Sequence, residues 1–193
     1  MTFAHRVWMQ SNAGISTKSV NLATTLSYPE SVPAATRLGL ISDTHGLLRP
    51  EALRLLAGSG TIVHAGDVGN PEILQALGAI APVTAVRGNI DTGPWAAELP
   101  ATAEVRAQGA RIYVLHDLHE LDIDPRARGF DIVVSGHSHR PGWREANGVL
   151  YINPGAAGRR RFRLPVTLAT LDLAQRPWTP LFFDLECGGV HRL

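Results

Sequence analysis

Two histidines spaced two residues apart, His137 and His139, are the side chains whose spacing points most directly to chemistry. They follow Gly136 and a short β-branched run, residues 132–134, of the kind found in buried strands. In an extended chain, side chains two residues apart point to the same side, so both imidazoles can face one ligand. This arrangement is typical of half a metal site. Two solvated surface histidines would have the same spacing, and that alternative stays open.

Five further residues with metal-binding side chains each follow a predicted strand. They are Asp43, His45, Asp67, Asn89 and His116. One divalent cation takes roughly four to six oxygen or nitrogen donors, so seven donors are enough for two cations that share a carboxylate. Asp67 follows the central predicted strand and is the natural bridge. Donors without sulfur favour manganese, our first expectation, with nickel, cobalt, zinc and iron as alternatives.

Each of these residues alone has a simpler interpretation. Asp43-x-His45 is more often a helix cap followed by a surface histidine. Gly66-Asp67 alone is a turn, and His116 alone is a core histidine. The indication of a shared site comes from the ordered succession of clusters, each at the end of a strand.

The apolar pattern of the first half predicts how these strand ends meet. Short apolar runs alternate with two helices, which begin at Pro50 and Pro71 and end before Gly58 and at Gly78. This β-α-β-α-β order predicts a parallel sheet wrapped by helices. Ligands of such sheets bind beyond the carboxyl ends of the strands.

The second half has a different rhythm. Gln108-Gly109 and Asn147-Gly148 each separate two runs of β-forming residues, which predicts two hairpins. Further strands are predicted over residues 166–173 and 181–185. The whole pattern predicts an α/β fold with mixed β-sheets and helices outside them.

Composition narrows the function classes. The 193 residues are 45% hydrophobic and 18% charged, which is typical of a soluble globular domain. A net charge of +1 gives no reason to expect long nucleic acid as a partner. The single Cys187 excludes an internal disulfide framework and fits a cytoplasmic location. No apolar run approaches the ~20 residues of a membrane span, so no membrane association is expected.

The N-terminal region differs from the rest of the chain. It is rich in Ser, Thr, Asn and Ala, contains Glu30 as its one acidic residue, and shows no sustained period. We expect residues 1–36 to be a disordered extension and residues 37–193 to form one domain. A transit peptide and a later start at Met9 are the alternatives.

As an ordered set, the polar clusters resemble the motifs of the calcineurin-like metallophosphoesterase superfamily. The matching motifs are Asp43-x-His45, Gly66-Asp67, Gly88-Asn89-x-Asp91, His116 and Gly136-His137-x-His139. The compact size and Asn153-Pro154-Gly155 are similar to the small single-domain bacterial and archaeal phosphodiesterase branch. The resemblance extends over roughly residues 38–185. It implies a four-layer αββα sandwich, with two mixed sheets flanked by helices and a dimetal site at the strand ends.

The resemblance also implies a ligand set and a reaction. One ion would be held by Asp43, His45, Asp67 and His139. The second would be held by Asp67, Asn89, His116 and His137. A hydroxide bridging the ions would attack the phosphorus of a small phosphodiester or nucleotide-type phosphoester. A phosphomonoesterase is one alternative. Another is a catalytically weak protein-binding scaffold, because a eukaryotic retromer subunit has this fold.

The sequence departs from the family pattern at the general acid. Many members carry a histidine where Ile90 stands, and a missing acid typically costs 10²–10⁴-fold in rate. His119 is the nearest candidate for a replacement acid.

In the basic run of residues 159–163, Arg159 and Arg160 are candidate substrate-binding residues, with a solvated loop as the simpler interpretation. Open sheet edges make a homodimer a further expectation.

Overall fold

Two mixed β-sheets form the framework of the structure, a computed structural model that describes residues 36–193. The predicted extension of residues 1–36 therefore lies outside the described residues, except for Thr36. The elements follow one another in the order β1 (Arg37–Ile41), α1 (Pro50–Leu56), β2 (Thr61–His64), α2 (Pro71–Gly78), β3 (Val83–Ala85), α3 (Pro94–Ala97), β4 (Thr102–Ala107), β5 (Ala110–Leu115), a 3-10 helix (Leu118–Glu120), β6 (Ile132–Val134), β7 (Gly142–Ala146), β8 (Val149–Asn153), β9 (Thr167–Asp172), β10 (Leu181–Asp184) and β11 (Val190–His191).

The first sheet has the strand order β11-β10-β9-β1-β2-β3. Its strands β1, β2 and β3 are parallel, with Ile41 opposite His64 and His64 opposite Ala85. Because this register aligns their carboxyl ends, the loops that follow the three strands leave the sheet side by side. The predicted β-α-β-α-β unit is confirmed.

The second sheet has the order β4-β5-β6-β8-β7. Its central strands β5, β6 and β8 are parallel, and β4 and β7 pair with them antiparallel at the two edges. Both predicted hairpins are present. Their turn residues have the positive φ that tight hairpin turns require, 48° and 80° at Gln108-Gly109 and 53° and 71° at Asn147-Gly148.

Three hydrophobic clusters hold these layers together. The largest lies between the sheets and includes Leu40, Val63 and Val134. A second packs α1 and α2 against the outer face of the first sheet. The third covers the outer face of the second sheet and includes Val133. Because β6 is buried on both faces, its sequence is continuously apolar instead of alternating.

The α/β fold with two mixed sheets is confirmed, and the two outer layers differ in kind. Helices α1 and α2 cover the first sheet, whereas the 3-10 helix and the loop carrying Leu121 and Ile123 cover the second. Residues 125–129 form consecutive turns in this outer layer. Within residues 36–193, no helix has the length and apolar character needed to span a bilayer.

Gly136 lies where the end of β6 meets the loops of the first sheet. A Cβ atom here would collide with Ser42 Oγ and lie 2.8 Å from Asp43 Oδ2.

We predict that Gly136→Ala lowers the free energy of unfolding by about 1–3 kcal/mol, because overpacking forces neighbouring groups to shift. Chemical denaturation of the metal-free protein would measure this. Gly142, where an added Cβ meets nothing within 4 Å, is the matched control, and Gly142→Ala should stay within about 0.5 kcal/mol. Equal effects of the two changes would contradict the close packing at Gly136.

Candidate metal centre

The seven predicted donor residues all lie at the end of the molecule where the carboxyl ends of both parallel strand sets meet. Five of them have positive φ: Asp43, His45, Asp67, His137 and His139, with φ between 46° and 64°. A non-glycine residue in this region costs about 1–3 kcal/mol, and such residues concentrate at functional sites. The sequence carries no signal for these conformations.

Backbone hydrogen bonds between loops hold these conformations in place. The amide of Asp43 donates to the Gly66 carbonyl at 3.0 Å, and the amide of His45 donates to the Asp67 carbonyl at 2.9 Å. The loop after β1 is thereby attached, residue by residue, to the loop after β2. His137 is tied to the same loops, because its amide donates to Asp43 Oδ2 at 3.2 Å.

A first donor cluster is formed by Asp43, His45, Asp67 and His139. One ligand atom from each lies within 4.8 Å of the others. His45 Nε2 is 3.2 Å from His139 Nε2 and 3.6 Å from Asp67 Oδ2. Burial lowers the pKa of His45 against the opposing charge of Asp67, and Arg161 lowers it further. The imidazole is therefore neutral near pH 7 and has a lone pair for a cation.

A second cluster adjoins the first through the other oxygen of Asp67. Asp67 Oδ1 is 3.3 Å from His116 Nε2. Asn89 Oδ1 is 3.1 Å from both His116 Nε2 and His137 Nδ1. Burial alone would raise the pKa of Asp67, but hydrogen bonds from His116 and the Ile90 amide lower it. The carboxylate is thus ionised and lies between two groups of donors.

The Oδ1 atom of Asp43, in the first cluster, is buried without a hydrogen-bond donor among the described residues. Asp43 is fully buried, and no group among residues 36–193 makes a hydrogen bond to its Oδ1 atom. His139 Nε2 lies 3.1 Å away without hydrogen-bond geometry. Leaving a buried carboxylate oxygen unpaired is costly. A divalent cation bound to this oxygen and to the neighbouring imidazoles would remove that cost, so the residues fit a metal ion.

The backbone sets the orientation of the His116 ring. Its Nδ1 atom lies 2.7 Å from the Ala65 carbonyl oxygen and donates to it. This leaves Nε2 directed at Asp67 and Asn89, an arrangement typical of metal-binding histidines. Burial opposes protonation, but the hydrogen bonds to Asp67 and Ala65 outweigh it and raise the pKa of His116 to about 9. In the metal-free protein this imidazole is therefore protonated at neutral pH.

Asp91 fastens the loop that carries Asn89. Its carboxylate accepts hydrogen bonds from the amides of Val68, Gly69 and Gly88 at 2.8–3.2 Å. These bonds tie the loop after β3 to the loop after β2. Asp91 therefore positions Asn89 relative to Asp67 without facing the donor clusters itself.

His64, the last residue of β2, lies next to the loops that carry the donor residues. It is fully buried, and its Nε2 atom lies 2.9 Å from Thr44 Oγ1, which donates to the Val68 carbonyl at 2.9 Å. Because that hydroxyl proton is used, His64 must donate to Thr44. Burial lowers the pKa of His64 to about 4, so the imidazole stays neutral. It links the loops that bear Asp43 and Asp67.

His119, the candidate acid, lies outside the donor clusters. Its side chain is 93% exposed, and its Nδ1 atom is 2.9 Å from Asp117 Oδ1. Asp117 Oδ2 is 3.6 Å from His137 Nε2, so Asp117 connects the two histidines. Partial burial would raise the pKa of Asp117, but its hydrogen bonds with His119 and the charge of His137 lower it.

A third arginine of the basic run, besides the two predicted, lies beside the centre. Arg161 Nη2 lies 3.5 Å from His45 Nδ1. Arg160 instead pairs with Glu186 at 3.0 Å, and Arg159 is exposed. Sequence reasoning missed Arg161 because the direction of each arginine in a loop depends on the tertiary packing around it.

Comparisons with known proteins agree with this architecture. A family model described as the calcineurin-like phosphoesterase superfamily domain matches residues 37–176. A probable metallophosphoesterase of Methanothermobacter thermautotrophicus is 34% identical over 131 residues, covering 62% of this chain and 76% of the relative.

Solved structures with the same fold include proteins described in different ways. One is an archaeal phosphodiesterase, with a TM-score of 0.65, 22% identity, and coverage of 76% of this chain and 99% of that one. Another is the Entamoeba histolytica protein Vps29 in complex with zinc, with a TM-score of 0.66, 23% identity, and coverage of 80% and 96%. At these identities the likeness concerns the fold.

We predict that metal binding at the second cluster displaces a proton from His116. Because its pKa in the metal-free protein is about 9, the apparent affinity should rise by about tenfold per pH unit between pH 7 and 8.5. Calorimetric titration with Mn²⁺ in buffers of different ionisation enthalpy would count the protons released. His116→Gln should release about one proton fewer at pH 7.5 than the wild type. Equal release by both proteins would contradict this protonation state.

Proposed function

Because the chain belongs to the calcineurin-like phosphoesterase superfamily, we propose that it is a dimetal phosphodiesterase acting on a small phosphodiester or nucleotide-type phosphoester. Its residues would hold two divalent ions. The first ion would bind Asp43, His45, Asp67 and His139. The second would bind Asp67, Asn89, His116 and His137.

The observation that carries this proposal is the position of Asp67. Its Oδ2 atom faces His45 at 3.6 Å, and its Oδ1 atom faces His116 at 3.3 Å. A carboxylate with one oxygen toward each donor cluster is suited to bridge two cations. When bound, such ions would supply Lewis acidity and activate water for attack on phosphorus. The oxygen and nitrogen donors suit manganese, nickel, cobalt, zinc or iron, of which manganese is the first to test.

The chain's own residues would orient the substrate around this centre. Arg161 lies beside His45 at the rim of the first cluster, where a guanidinium could hold a phosphoryl oxygen. Ile90 follows Asn89 with 38% of its surface exposed and cannot donate a proton. His119, attached to the centre through Asp117, stays the candidate acid. An archaeal phosphodiesterase with the same fold makes diesters the first substrates to test.

A protein-binding scaffold is the second candidate function, favoured by the fold shared with Vps29. The unpartnered Asp43 Oδ1 argues against a scaffold without metal, since such a protein gains nothing from a buried unpaired carboxylate oxygen. A cytoplasmic location and a homodimer stay predictions.

The proposal predicts that Asp67→Asn abolishes most diesterase activity. The change keeps the side chain's size but removes the bridging charge from both clusters. We expect kcat to fall by at least about a hundredfold. This loss of activity exceeds the typical effect of removing a group that only hydrogen-bonds to a metal ligand. The measurement is hydrolysis of bis(p-nitrophenyl) phosphate and p-nitrophenyl phosphate with Mn²⁺, Ni²⁺, Co²⁺ or Zn²⁺, together with metal analysis of the protein.

Asp122, an exposed carboxylate, offers a matched control, and Asp122→Asn should retain full activity. Diesterase activity that survives Asp67→Asn would rule out the dimetal mechanism. A metal-loaded protein without activity on either ester would favour the scaffold. A higher kcat/KM on the monoester would identify a phosphomonoesterase.

Arg161 provides a separate test of substrate binding. We predict that Arg161→Ala raises KM for the diester about 10-fold, the effect of losing a charge-assisted hydrogen bond of about 1.5 kcal/mol. Arg159→Ala, which removes an exposed arginine two residues away, is the control and should leave KM unchanged. A larger effect at Arg159 would restore the original prediction for the basic run.

A further inference from the structure

A cavity of about 270 Å³ adjoins the second donor cluster near the outer face of the second sheet. The strand end at His137 contributes to its lining. So do Leu118 and His119 of the 3-10 helix, and Arg144 and Tyr151 of the β7–β8 hairpin. Most of the lining is apolar. The metal ligation described above uses His137 alone among these five residues.

The cavity lies next to the space above the second donor cluster. Asp117 and His137 line it, and the same two residues line a 190 Å³ cavity that also contains Asn89 and His116. Two side chains therefore separate the space above the second cluster from the apolar cavity. A substrate with its phosphoryl group at the cluster would therefore have only Asp117 and His137 between that group and the apolar cavity.

The cavity presents flat groups in fixed orientations. The Arg144 guanidinium stacks over the Tyr151 ring, with Cζ 4.1 Å from the ring centroid. The His119 imidazole is 93% exposed, yet both its ring and its backbone amide hydrogen-bond to Asp117 Oδ1, at 2.9 and 3.0 Å. Holding an exposed side chain in one orientation has an entropic cost. Planar surfaces with polar edges are what a heteroaromatic ring stacks against.

We propose that this cavity binds a planar ring carried by the substrate, so that the enzyme prefers phosphoesters of aromatic or nucleoside groups. The inference rests on the proposed phosphoesterase function for the position of the phosphoryl group. The volume of the cavity lies just below ~300 Å³, the lower end of the range for pockets that enclose a whole small molecule. It therefore accepts a single ring system. Arg144 and His119 are the specificity-determining residues.

The test compares ligands that differ only in the ring. The Mn²⁺-loaded protein is titrated calorimetrically with adenosine 5′-monophosphate against ribose 5-phosphate, and with phenyl phosphate against methyl phosphate. The ring-bearing member of each pair should bind about two- to tenfold more tightly, the value of one aromatic contact. Arg144→Ala and His119→Ala should each reduce that ratio. A preference confined to the adenosine pair identifies a nucleobase, and one seen in both pairs identifies any aryl group.

Arg176→Ala is the matched control, because Arg176 stacks on Trp178 at 3.7 Å beside a different cavity, and it should leave both ratios unchanged. Equal affinities within both pairs would overturn the proposal, as would a ring preference that survives both Arg144→Ala and His119→Ala. Adenosine alone, titrated into metal-free protein by NMR, separates the two proposals. Resonance shifts at the cavity would support the ring site even if the protein hydrolyses neither ester, whereas the absence of shifts in a protein that does hydrolyse them would count against the ring site alone.

Discussion

The burial of the Asp67 carboxylate between the two sheets is the constraint on which the rest of the centre depends. An ionised group with 2% of its surface exposed has to be compensated by nearby partners. The partners come from both sheets: His45 from the first sheet, and His116 from the second. The residues around Asp67 therefore serve stability and binding through the same contacts.

This constraint explains the backbone conformations. Small donor-bearing loops can converge on one carboxylate only if they reverse direction immediately after their strands. Asp43, Asp67 and His139 achieve this with left-handed conformations that are unfavourable in isolation. Loop-to-loop hydrogen bonds and the three amides bound to Asp91 stabilise them. These contacts hold the donor loops together without an ion, and such preorganisation lowers the ordering cost of binding.

The surroundings of the centre differ on its two sides. Beside the first cluster lies a basic loop, in which Arg161 contacts His45. Beside the second cluster lies the apolar cavity lined by Leu118 and Tyr151. A positive rim on one side and an apolar cavity on the other match the two halves of an organic phosphoester, an anionic group and a carbon skeleton. Under the proposed function, this asymmetry would allow both parts of a substrate to be recognised.

The sequence by itself determined the parallel unit and the two hairpins, and it predicted seven metal-binding side chains at the strand ends. These follow from local signals: the apolar runs, the helix-starting prolines at Pro50 and Pro71, and the turn pairs such as Asn147-Gly148. It also indicated that polar residues such as Asp67 and His116 would gather at one edge, since the carboxyl ends of parallel strands share an edge.

Only the tertiary structure decided which arginine lies beside His45 and that Asp43 Oδ1 is buried without a hydrogen-bond partner among the described residues. These properties depend on the directions of side chains in loops and on the way the two sheets meet. No periodic pattern of residue types in the sequence encodes either of them. The apolar cavity beside the second cluster also depends on the tertiary structure. Leu118 and Tyr151 are far apart in the chain and unremarkable alone, and they line one cavity because the 3-10 helix packs beside the β7–β8 hairpin.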